Sequence, residues 1–238
     1  MLKARVLDAS DRMQKRFFVN LHQTVCLCTV CGFRHVGGQT NSHSLTPDAI
    51  MTQEQKTEQE FRAALAVCRD LFVKKAHDYG TAWTILRLPS LTDQLYIKAS
   101  RIRTIEQNGH SAIDEGINAE FIGIVNYAIM GVVLSKIEAD DLRQGLNPIA
   151  VDRAIALYDE SAEEALQLML KKNHDYGEAW RGMRVSSYTD LILVKILRTK
   201  QIETLDGHTL VSEGVVANYM DMMNYAVFGL IRLGVGQN

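Results

Sequence analysis

The stretch KAHDYGTAW at residues 75–83 returns as KNHDYGEAW at residues 172–180, and this recurrence decides the fold. His77 and His174 set an offset of 97 residues. At that offset Arg87 answers to Arg184, Ser90 to Ser187, Asp93 to Asp190, Lys98 to Lys195 and Arg101 to Arg198. One added residue then shifts the register to 98, so that Glu115 answers to Glu213 and Asn126-Tyr127 to Asn224-Tyr225. Agreement at so many separated positions is the mark of an internal duplication.

Each copy reads as three helices. The first runs through FRAALAVCRDLFVKKA and, in the second copy, through AIALYDESAEEALQLMLKK, both with apolar residues at helical spacing. Gly80 and Gly177 end these helices, because glycine accepts the left-handed conformation that follows a helix C-terminus. Ser90 to Asp93 and Ser187 to Asp190 read as capping boxes that open the second helices. The third helices follow Glu115 and Glu213 and are long and mostly apolar. No alternating strand pattern competes, so the expected fold class is all-α. It comprises two tandem three-helix repeats packed as a pseudo-twofold helical bundle. The repeats are expected at residues 51–140 and 149–238, joined by a linker at 141–148 that carries Gly145 and Pro148. The surfaces that join two such repeats are also suited to a homodimer.

Residues 1–50 carry no comparable pattern. Cys26, Cys28, Cys31 and His35 are the residue types of a zinc site, but a second paired knuckle is missing. The plainer expectation is a disordered extension, with Met51 opening the first helical stretch. The apolar core and cleavage site of a signal peptide are not evident in FFVNLHQTVCLC. Polar interruptions such as Asn126 and Asn224 argue against a membrane-spanning run. The chain is therefore expected to be cytoplasmic, without a membrane partner. A formal charge of -2 argues against a protein dominated by attraction to nucleic-acid phosphates, although local basic clusters remain.

Those clusters are the chemistry-bearing part. Lys75, His77 and Asp78, with Lys172, His174 and Asp175, gather at the ends of the first helices, and Arg87 and Arg184 follow. Lysine holds phosphate as a point charge and arginine as a bidentate fork. The plainer reading is that Lys and His complement the negative end of the helix. Lys98 and Arg101, with Lys195 and Arg198, stand one turn apart on the second helices. On the last helix Glu213, Asp221 and Asn224 fall within a sector roughly 80° wide. Groups of this kind need partners when buried. Either the preceding basic helix supplies an ion-pair network, or the carboxylates hold Mg²⁺. In the first copy Gly123 stands at the position of Asp221, while Glu115 and Asn126 remain and Glu120 answers to Asn218. The candidate metal ligands are therefore Glu213, Asp221 and Glu115, with the fuller set in the second half.

At H-D-Y-G-x-A-W, the K-x-x-R helix and the E…N-Y helix, the sequence resembles the nucleotide modification associated domain type one family, over about residues 57 to 235. That resemblance implies a link to modified nucleotides or nucleic acid. A more distant likeness, at Asp221-x-x-Asn224-Tyr225, is to the MazG-type all-α nucleoside triphosphate pyrophosphatases. Those carry a glutamate-rich E-E-x-x-E helix, for which Glu160-Ser-Ala-Glu163-Glu164 is the nearest segment here. Two functions follow as expectations. One is Mg²⁺-dependent hydrolysis of a nucleoside triphosphate or modified deoxynucleotide, with Tyr176 or Trp180 flanking the base. The other is a non-catalytic module that binds a nucleotide or nucleic acid. A third reading makes the paired charges internal struts.

Overall fold

The computed structural model describes residues 51–111, 115–139, 147–205, 207–208 and 213–237. The expected extension at 1–50, with Cys26, Cys28, Cys31 and His35, lies outside the described residues, as does most of the expected linker. Six α-helices form, and there is no strand among the described residues. In the first repeat α1 is Gln53–Tyr79, α2 is Leu88–Asn108 and α3 is Ile117–Ala139. In the second α4 is Val151–Tyr176, α5 is Val185–Glu203 and α6 is Val215–Arg232. A short 3-10 turn precedes α2 (Ala82–Ile85) and another precedes α5 (Ala179–Gly182).

Local chemistry accounts for the boundaries. Thr52 opens α1 with a capping box, its hydroxyl accepting from the Gln55 N–H and the Gln55 side chain accepting from the Thr52 N–H. Gly80 and Gly177 close α1 and α4 at φ 75° and 57°. The second helices begin earlier than Ser90 and Ser187. Their caps are Arg87 and Arg184, both extended and without a side-chain cap bond. The 3-10 turns deliver the chain already extended at these arginines, so the helix starts at once. Asp93 and Asp190, a turn inside, then pair across the helix interface instead of capping.

That interface displays the pseudo-twofold. On α2 and α5 Thr92 donates to Glu203 (2.6 Å) and Thr189 to Glu106 (3.4 Å). Lys200 pairs with Asp93 (2.6 Å) and Arg103 with Asp190 (3.4 Å). Each bond has its counterpart at the repeat offset. The central pair, α3 and α6, packs more extensively than any other. There Phe121 of α3 lies over Gly229 of α6, and Tyr219 of α6 lies over Gly131 of α3. On the far side α1 and α4 are tied by Arg62–Glu163 and Arg69–Asp159. Glu160 and Glu164 pair at the surface with Lys136.

The stretch Ile117–Ile137 is long and apolar enough by composition to cross a membrane, with mean hydropathy 1.7, which corrects the expectation from its interruptions. In this fold it is the core helix α3. Phe121, Ile124, Val125, Ala128 and Val133 are fully buried against the other helices.

The paired asparagines are structural. Asn126 donates to the Cys68 carbonyl (3.1 Å) and Asn224 to that of Ala165 (3.2 Å), the same bond in each repeat. The Tyr158 hydroxyl, from the second repeat, donates to Asn126 Oδ1 at 2.7 Å. Phe61 holds the position of Tyr158 in the first repeat. Consistent with that exchange, Asn224 Oδ1 is buried without a hydrogen-bond partner among the described residues. Tyr158→Phe is therefore expected to cost about 1–2 kcal/mol, by leaving the Asn126 amide oxygen buried and unpaired as well. Urea denaturation followed by circular dichroism measures this, and an unchanged midpoint contradicts it.

Candidate functional site

The same three-helix junction exists twice, where the end of the first helix meets the second and third, and its two copies differ in content. In the second repeat it is closed. Asp221, on α6, is 7% exposed. One of its oxygens accepts from Lys172 Nζ at 2.7 Å and the other from Lys195 Nζ at 2.5 Å. Burial alone pushes the Asp221 carboxyl up, but the hydrogen bonds from Lys172 and Lys195 outweigh it and hold the carboxyl below its usual value. Burial also pushes the neighbouring Tyr225 up to about 12, with the Asp221 charge adding to the effect.

In the first repeat the junction is open. Gly123 replaces Asp221, and a cavity of about 150 Å³ lies there. Its walls are Lys75, Ala76 and Tyr79 from α1, Trp83 from the turn, Lys98 from α2, and Gly123, Tyr127 and Met130 from α3. A Cβ at Gly123 would stand 3.3 Å from Lys98 Cε, so a side chain here runs along the lysine stem. Lys75 meets no carboxylate among the described residues. Lys98 leans on Glu120 (3.2 Å), which is 1% exposed and also accepts from Arg101. Arg101 in turn reaches Glu115 at 3.2 Å. The carboxylate has thus moved one helical turn along α3, away from the mouth between the lysines. The indole N–H of Trp83 is buried without a hydrogen-bond partner among the described residues.

The structure sorts the sequence candidates. Lys75 and Lys98 come together at the cavity, and Lys172 and Lys195 at Asp221. Lys172, rather than Arg198, supplies the second ammonium of the expected ion-pair network. His77 and His174 are exposed at the helix ends, as are Arg87 and Arg184 at the caps. Tyr176 is 65% exposed, whereas Trp180 is a core residue stacked on Phe228 at 4.4 Å. Glu213 is exposed at the start of α6, and Glu115 belongs to the other repeat. Among the described residues no three His, Cys, Asp or Glu side chains gather as a metal-ligand set. Tyr79 and Tyr127 line the cavity with Trp83 and were not among the sequence candidates. The signal available was Gly123 itself, a small residue where its counterpart is charged.

The chain matches the family described as nucleotide modification associated domain 1 twice, over residues 75–134 and 172–233. These matches span just over half of its length and each contains one copy of the junction. The chain belongs to this family. No match was found among curated proteins or among solved structures. The nucleotide modification associated domain match begins in each copy at the lysine on the junction wall, Lys75 or Lys172, and contains the second lysine, the indole and the Asn-Tyr pair.

Proposed function

We propose that this protein binds a nucleotide or modified nucleotide in the first repeat, with a phosphate group between Lys75 and Lys98. The observation that carries this reading is the exchange of Asp221 for Gly123. Where the second repeat holds its own carboxylate between two lysines, the first offers two lysines and a cavity. Ammonium groups favour phosphate oxygens. Tyr79, Trp83 and Tyr127 supply aromatic surface of the sort on which bases stack. Pockets that take whole drug-sized ligands run to about 300–1,000 Å³. A cavity of about 150 Å³ therefore takes one moiety, with the rest of the nucleotide at the mouth beside Tyr79, which is 65% exposed. The family description supports the ligand class.

Of the two functions expected from sequence, binding is supported over Mg²⁺-dependent hydrolysis by the fate of Asp221. Both of its oxygens are engaged by ammonium groups, so it serves the fold as a strut.

The test is isothermal titration of the full chain with ribo- and deoxynucleoside mono-, di- and triphosphates. Wild type should bind at least one class. Gly123→Asp should weaken that binding at least 10-fold, because it places a carboxylate where the phosphate goes. Wild-type protein that binds no nucleotide, or a Gly123→Asp variant that binds as tightly, overturns the reading. A single mononucleotide should also show a shallow salt dependence, whereas a nucleic-acid strand adds to the slope with every phosphate neutralised.

A further inference from the structure

The second repeat keeps both lysines of the junction on the corresponding helices, although the turn after α4 departs from that after α1 at Gly177 (ψ 45° against -155° at Gly80) and at Glu178 (φ 65° against -114° at Thr81). Between the lysines, what differs is the occupant. The Asp221 carboxylate bridges Lys172 and Lys195 through separate oxygens at 2.7 and 2.5 Å. Two anionic oxygens spanning two ammonium groups is also the arrangement that a phosphate presents. We infer that the second repeat carries the same anion site in a self-occupied form, the Asp221 carboxylate standing where phosphate oxygens would sit, so that removing this side chain opens a second phosphate site on Lys172 and Lys195. The class of anion rests on the nucleotide reading above; the site itself rests on the geometry of Lys172, Asp221 and Lys195.

Two observations support it. The would-be Cβ of Gly123 lies against the Lys98 stem, so this helix position faces the lysine in both repeats. The Asp221 carboxyl stays below its usual value despite burial, so the two lysines stabilise an anion strongly enough to offset desolvation. The consequence for function is stoichiometry. The duplicated protein takes one anion per chain, and the second copy supplies its own.

The experiment uses inorganic phosphate as the probe, with the full chain in phosphate-free chloride buffer. Wild type, Asp221→Gly and Asp221→Ala are compared by isothermal titration and by thermal melting at rising phosphate concentration. Expected are one phosphate for wild type and two for each variant. The variants should melt lower in chloride and recover toward the wild-type temperature as phosphate is added, because a ligand bound only by the native state stabilises it. One phosphate for wild type and one for the variants overturns the inference and leaves the first-repeat pocket standing. No phosphate for wild type and one for the variants supports the inference and removes support for phosphate capture in the first repeat. No binding anywhere overturns both. If the variants fold only with phosphate present, the inference is supported. If they fail to fold at any phosphate concentration, it is overturned.

Discussion

Gly131→Ala is expected to destabilise the protein by about 1–3 kcal/mol, although alanine is the better helix former. A Cβ at this position of α3 would stand 2.9 Å from the ring of Tyr219, closer than carbon atoms approach without displacement. The ring has nowhere to retreat, since Tyr219 is 0% exposed. Exchanging an exposed helical glycine for alanine gains up to about 1 kcal/mol. Forcing a methyl into a closed core typically costs 1–3 kcal/mol, and here both central helices must separate to admit it. The second term wins. Gly229→Ala, where the Phe121 ring stands at 3.0 Å, should behave in the same direction. Gly123→Ala is the control. Its Cβ meets only the flexible Lys98 stem, so helix propensity should dominate and stability should rise slightly. Thermal melting separates the three, at roughly 2–4 °C per kcal/mol for a domain of this size. A higher melting temperature for Gly131→Ala would show that α3 and α6 are not in direct contact there.

The duplication explains why so much of the fold was legible and why the site was only half so. The offset of 97 residues, 98 for the third helices, brought every helix of one repeat onto its partner, and Gly80 and Gly177 marked ends the structure confirms. The caps of the second helices were misplaced by three residues because Ser90 and Asp93 match a capping pattern, while the 3-10 turn before them left no trace in periodicity. Pairings across the pseudo-twofold, such as Lys200 with Asp93, depend on tertiary placement and had no local signal. At the site the sequence showed both lysines, the Asp221 carboxylate and its loss at Gly123. It favoured the fuller set of charges as the working half. The function proposed above takes the opposite reading, for a physical reason: a complete set of complementary charges satisfies itself, whereas a gap between cations can take a ligand. Glu120 lies one turn from Gly123, and only packing shows that it turns toward Arg101 and Lys98.

Asp221→Ala tests the strut directly, and its effect should depend on pH in a way that separates charge from volume. At neutral pH the variant leaves the Lys195 ammonium, 14% exposed, without its carboxylate, while Lys172, at 41%, can turn into water. Removing one partner of a fully buried pair costs about 3–5 kcal/mol. With one cation able to escape, about 2–3 kcal/mol is expected. The folded-state carboxyl titrates below its ordinary value of 3.8. Asp221 therefore contributes its ion-pair stability at pH values above about 3.8, and that contribution is lost as pH falls through the lower folded value. The gap in unfolding free energy between wild type and variant should accordingly stay constant from pH 7 down to about 4 and narrow below. Urea melts at pH 7, 5 and 3, in buffer free of phosphate, make the comparison. A gap that persists undiminished in acid would assign the cost to the missing atoms. One that closes assigns it to the charge, and the same charge is what a phosphate would replace.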